Sequence, residues 1–121
     1  MNPQQTDVVL DQTALDELRA CDPDGTGLLA ELIDIFLSDT PPRLNAIRRA
    51  ADAAQPQALG HEAHALKSSS AQLGALALSA TCRKLEALGR QGSLLGVEEL
   101  VALLEPQFAV AREALLAARR L

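Results

Sequence analysis

Between Val97 and Ala118, six apolar positions (Val97, Val101, Leu104, Phe108, Ala111 and Leu115) recur at alternating spacings of four and three. An α-helix turns once in about 3.6 residues, so this spacing puts all six on one stripe, whereas a strand would scatter them over both faces. A stripe of that length needs other helices to cover it, which is the seam of a helical bundle. Pro106 stands inside the pattern and removes a backbone donor while clashing one turn back, a cost of roughly 3 kcal/mol unless relaxed. Because the apolar spacing runs through it, the pattern predicts a kink near Glu105 and not a terminus.

The remainder of the chain reads as shorter segments of the same kind. Asp11 offers an N-cap to a short helix whose apolar side carries Leu15 and Leu18, ending near Cys21 at the turn cluster Asp22-Pro23-Asp24-Gly25. Asp22, Asp24 and Gly27 match positions one, three and six of a calcium-binding loop, but Thr26 stands at position five and Ile33 at position twelve, where a bidentate glutamate is needed. A plain turn is the better reading. A helix from about Gly27 to Ser38 follows, with Leu28, Leu29, Leu32, Ile35 and Phe36 inward. Asp39-Thr40-Pro41-Pro42 then predicts a break, with Thr40 capping a new helix and Pro41 at its first position. In that helix Leu44, Ile47, Ala51 and Ala54 are expected inward, and Arg43, Arg48 and Arg49 outward.

Pro56 suits the first turn of the next helix, which runs to about Leu73 and ends at Gly74 in a left-handed cap. Ala75 to Leu88 forms another, with Leu78, Cys82 and Leu85 inward, Arg83, Lys84 and Glu86 solvated, and Gly89 and Gly92 breaking it. The fold class expected is all-α: an antiparallel up-down four-helix bundle from Thr40 onward, with two additional N-terminal helices packed at one end. Residues 1–9 are expected to form a flexible tail, and residues 10–121 one domain.

Composition narrows the function. Few residues are β-branched, and Phe36 and Phe108 are the only aromatics, which disfavours a sheet. The formal net charge is −5, and the basic residues are scattered. That argues against nucleic acid, whose phosphates demand clustered Lys and Arg, and against an anionic membrane surface. No apolar run approaches the ~20 residues of a membrane span, so no membrane insertion is expected. The start of the chain is polar, and Cys21 and Cys82 show no paired-ligand spacing. The expected location is cytoplasmic.

The segment from Pro56 to Leu73 carries the chemistry. Leu59, Ala63, Leu66, Ser70 and Leu73 share its seam, and His64 falls beside that seam, exposed at least at its ring edge. Gly60 and Ser68 are its neighbours along the helix, and His61 and Lys67 lie one turn away on either side. A glycine inside a helix costs ~1 kcal/mol relative to alanine, so Gly60 implies either tight packing or room for another protein beside His64. A neutral imidazole is a good nucleophile, and Lys67 is a point charge within reach of a phosphate. His61 and His64 could chelate weakly, but no third ligand is apparent, so no metal site is assigned. No phosphate-cradling loop or Mg²⁺ carboxylate cluster occurs, so autonomous kinase activity is not expected.

The run His64-Ala65-Leu66-Lys67-Ser68-Ser69-Ser70, followed by Leu73-Gly74-Ala75, resembles the motif of histidine-containing phosphotransfer (HPt) domains. Leu32, Phe36, Leu37 and Pro41 upstream, and Leu78, Cys82, Leu85 and Glu86 downstream, extend the resemblance over Leu10 to Leu116. It implies a phosphorelay carrier in which His64 accepts a phosphoryl group from a receiver-domain aspartyl phosphate and passes it to another receiver. Lys67 would stabilise the phosphate, with Gly60, His61, Ser68 and Ser69 at the docking surface. The family usually has glycine where Ser68 stands. The implied partners are receiver domains of response regulators or of a hybrid sensor histidine kinase, the Mg²⁺ would come from the receiver, and the carrier would work as a monomer. The alternative is a helical adaptor domain that binds partners without being phosphorylated.

Overall fold

The computed structural model describes residues 9–120, and most of the expected N-terminal tail lies outside them. Five helices are present among the described residues, and no strand: α1 (Gln12–Ala20), α2 (Leu28–Asp52), α3 (Pro56–Gln72), α4 (Leu76–Gln91) and α5 (Val97–Arg119). Helix α2 packs on α3, α3 on α4, α4 on α5 and α5 back on α2, so these four close a ring around the core. Neighbours run antiparallel. Asp34 pairs with Arg119 and Arg48 with Glu105 across α2 and α5, while Gly60 meets Gly89 and Lys67 meets Ser79 across α3 and α4.

One expectation about the architecture is corrected. The segment expected to break at Thr40 is a single helix, α2, with Pro41 and Pro42 inside it, so one additional N-terminal helix precedes the bundle and not two. The two prolines remove donors for Leu37 and Ser38 carbonyls and would cost about 3 kcal/mol each in an isolated helix. Against this, Ile33, Phe36, Thr40, Leu44 and Ile47 form one buried stripe straight through the prolines. Burial is worth about 1.5–3 kcal/mol per large apolar side chain, and the continuous stripe outweighs the break. Thr40 is no cap; its buried hydroxyl donates to Phe36 O at 2.6 Å. The stripe also differs in detail. Ile33 is buried where Ile35 was expected, Ala50 replaces Ala54, and Ile35 is 48% exposed.

Helix α1 caps one end of the bundle, with Leu15 fully buried. Asp11 accepts from Thr13 N at 3.1 Å, and its own N–H donates to Gly74 O at 2.8 Å, tying α1 to the α3–α4 turn. Gly74 is required twice over. Its φ is +77°, and a Cβ there would stand 2.7 Å from Asp11 O. Asp22 is a structural turn residue, as expected. Its Oδ1 accepts from the Thr26 amide and hydroxyl and its Oδ2 from Gly27 and Leu28 amides, at 2.7–3.0 Å, which satisfies the start of α2. These bonds hold its carboxyl far below the usual range, the Thr26 hydroxyl foremost.

Helix α5 runs unbroken through Pro106. Phe36 and Phe108 meet edge to face, ring centroids 5.8 Å apart, and link α2 to α5 in the core. Arg43 and Arg48, expected as free outward charges, are half-buried and paired with Glu62 at 2.9 Å and Glu105 at 3.1 Å, while Arg49 is exposed. Among the described residues, no helix is long and apolar enough to cross a membrane.

Candidate functional site

Helix α3 begins at Pro56, whose missing N–H costs nothing in the first turn. Leu59, Ala63, Leu66 and Ser70 are buried, which turns His64 away from the core. The His64 side chain is 58% exposed. Ser70, a polar residue on the seam, satisfies itself by donating to Leu66 O at 2.6 Å.

Helix α4 supplies the residue that organises the site. Glu86, expected in solvent, is buried: its side chain is only 7% exposed. It sits one turn beyond Cys82 on the inward side of α4, and that spacing was the available signal. Two of its neighbours across the gap explain how a carboxylate can lie there. Oε1 accepts from Lys67 Nζ at 2.5 Å, and Oε2 lies 2.6 Å from His64 Nδ1. Arg90, one turn along α4, donates to the same Oε2 at 2.8 Å. A buried charge is tolerated only when paired and hydrogen-bonded, and Glu86 is both. The Lys67 hydrogen bond pulls its carboxyl down to about 2, burial opposes this, and His64 and Arg90 assist.

Glu86 therefore stays ionised and can only accept. The proton of a neutral His64 must then sit on Nδ1, which leaves the Nε2 lone pair for chemistry. Lys67 Nζ is held near the ring through the same carboxylate, and the Lys67 main-chain carbonyl accepts from the Ser79 hydroxyl at 3.0 Å, a further tie between α3 and α4.

Close approach of α3 and α4 makes these contacts possible. Gly89, expected to break the helix, lies inside α4 and is buried against Gly60. A Cβ on Gly89 would stand 2.6 Å from Gly60 Cα and from Pro56 O; one on Gly60 would stand 3.2 Å from Gly89 Cα. Tight packing is thus one reason for Gly60. A groove of about 400 Å³ opens above this contact, lined by Gln57, Gly60, His61, His64, Glu86 and Arg90 among others. His61 and Ser68 are exposed; Ser69 is half-buried and donates to Leu66 O at 3.3 Å. Lys67 and His61 thus flank His64 as the sequence indicates, whereas Glu86 and Arg90 were not anticipated as site residues. Among the described residues, no three His, Cys, Asp or Glu side chains converge as a metal site.

An all-helical bundle that presents a histidine on the flank of one helix, beside a lysine one turn on, is the architecture of a phosphotransfer domain. A family model described as "Hpt domain" matches residues 31–119, and the chain belongs to that family. The crystal structure of histidine-containing phosphotransfer protein B (HptB) from Pseudomonas aeruginosa PAO1 superposes with a TM-score of 0.82 at 32% sequence identity, covering 93% of this chain and 95% of that one. No curated protein sequence matches. The chain's role is histidine phosphotransfer in a phosphorelay.

Proposed function

We propose that His64 is the phosphoacceptor and that Nε2 is the attacking atom. The observation that carries this reading is the Glu86–His64 hydrogen bond, which holds the Nδ1 proton and turns the other ring nitrogen outward. The donor is the aspartyl phosphate of a receiver domain. The Nε2 lone pair attacks phosphorus, the phosphorus–oxygen bond to the aspartyl group breaks, and the carboxylate leaves with that electron pair. The ring becomes a phosphoimidazolium, still protonated at Nδ1, and the Glu86 carboxylate stabilises the positive charge that develops. Transfer onward reverses these bonds on a second receiver, the phosphorus–nitrogen electron pair returning to Nε2. Lys67 neutralises the incoming phosphoryl oxygens. Receivers supply the Mg²⁺ that offsets charge on the phosphoryl group.

Receiver domains of response regulators, or of a hybrid sensor histidine kinase, are the partners in this reading. They approach over the His64 face, with Gly60, His61, Ser68 and Ser69 around the contact. The protein acts in the cytoplasm as a monomer, with no intrinsic cofactor. Incubation with a phosphorylated receiver, followed by intact-mass measurement, tests the assignment. Wild type should gain acid-labile phosphate and His64→Gln none. Equal gain by His64→Gln would remove His64 from the reaction, and binding without any gain would favour an adaptor.

A further inference from the structure

We propose that the groove between α4 and α5, on the far side of α4 from His64, docks an amphipathic helix of another protein, one whose leucine-like stripe lies between a basic and an acidic flank. The groove holds about 480 Å³, and its apolar surface comes from Leu88 on α4, Leu100 and Leu103 on α5, and Leu95 in the turn between them. Single exposed apolar residues are ordinary on a protein surface, but here Leu95 is 86% and Leu103 45% exposed in one trough. Leu95 is held out by its turn. Gly92 and Gly96 take positive φ at either end, the Leu95 N–H donates to Ser93 Oγ at 3.2 Å, and Leu94 packs inward against the core. Its exposure is therefore built into a hydrogen-bonded turn.

Charge and shape select a helix as the occupant. Lys84 stands on the α4 wall and Glu99 on the α5 wall. Both are exposed, and among the described residues neither has an ion-pair partner, although most cations of this chain have one. Opposite charges that line one groove without meeting leave a ligand to satisfy both, with a cation beside Glu99 and a carboxylate beside Lys84. From Lys84 to Gln91 and from Gly96 to Leu103 the walls each run about 10 Å, two helical turns, which is the reach of apolar anchors at i, i+4 and i+7. An extended segment fits worse, because both walls are helices whose backbone groups are already bonded and offer no ladder to its N–H and C=O groups. Glu98 and Glu99, both exposed at the start of α5, oppose an anionic membrane surface. Lys84 and Leu88 lie two residues either side of Glu86, about 200° round α4, so a helix seated in the groove leaves His64 uncovered.

The test uses the whole chain, methyl-labelled at leucine, and as probe a lactam-stapled helical peptide of about four turns. Its leucines stand at i, i+4 and i+7, with lysines on one flank and glutamates on the other; a second peptide carries glutamates on both flanks. Titration followed by NMR should move the methyls of Leu88, Leu95, Leu100 and Leu103 and leave the His64 ring signals in place. Leu95→Asp should weaken binding about tenfold, the loss of one apolar anchor, and should keep the fold because Leu95 already faces solvent. The all-glutamate peptide should bind about fivefold more weakly than the mixed one, and Glu99→Lys should reverse that ranking. No binding at millimolar peptide, movement centred on His64 or elsewhere, unweakened binding by Leu95→Asp, or a ranking that Glu99→Lys leaves unaltered overturns the proposal. So do groove methyls that touch residues 1–8 in the free chain, or that shift on dilution, because the occupant is then this chain's own segment or a second copy. None of these readouts involves phosphorylation, so their failure leaves the His64 assignment standing.

Discussion

Glu86 on α4 and His64 on α3 meet at 2.6 Å through Oε2 and Nδ1, so a buried carboxylate sets the protonation pattern of an exposed imidazole. Glu86→Ala removes the acceptor for the Nδ1 proton and the anchor of Lys67 together. Phosphorylation should slow by about tenfold or more, within the range typical of losing a positioned polar partner. ¹⁵N NMR of the imidazole should show the Nδ1–H form falling from dominant to a minority, because a free imidazole favours the other tautomer. Glu86→Gln keeps an oxygen that can accept from Nδ1 and should fall between wild type and alanine.

The same carboxylate gives an acid-sensitive stability term. The ordinary glutamate value is 4.5, and in the folded protein the Lys67 contact takes Glu86 to about 2. A group depressed on folding stabilises the native state above its unfolded pKa, and the contribution fades as pH falls through the folded one. Urea unfolding of wild type and Glu86→Gln should therefore differ constantly above about pH 5. The gap should shrink between 4.5 and about 2. A gap that widens on acidification would contradict the assignment.

The two glycines at the α3–α4 contact should respond unequally to alanine. A methyl on Gly89 meets backbone on α3 at 2.6 Å, and backbone cannot step aside. Gly89→Ala should lose about 1–3 kcal/mol in denaturant unfolding, the usual cost of overpacking. At Gly60 the nearest atom is 3.2 Å away, and alanine's helix propensity returns ~1 kcal/mol. Gly60→Ala should stay within about 1 kcal/mol of wild type.

Thiol labelling separates the cysteines. Cys21 is exposed, whereas Cys82 is fully buried and burial pushes its thiol up to about 12. A maleimide should modify one thiol per native chain and two in denaturant. Rapid double labelling of the native chain would place Cys82 outside the core.

Which elements were legible follows from what periodicity can report. Helix α3 starts at Pro56 and gives way to Gly74, as the sequence indicates, because proline and glycine act within one turn of themselves. The seam of α5 and the flank position of His64 are likewise properties of one helix. The merging of two expected helices into α2 was not legible. Local propensity at Pro41 and Pro42 favours a break, and only burial of Thr40 and its neighbours against other helices overrides it.

The sequence by itself determined an all-helical chain and a histidine with a lysine one turn along on one exposed flank, since spacing of three and four residues decides both. Tertiary structure alone decided that Glu86 and Arg90 join them. Glu86 stands 22 residues beyond His64 and 19 beyond Lys67, with Arg90 one turn further, and their place depends on α3 and α4 running antiparallel and touching at Gly60 and Gly89. That contact brings the Glu86 carboxylate close enough to hold the imidazole proton, a relation between two helices that the pattern of neither contains.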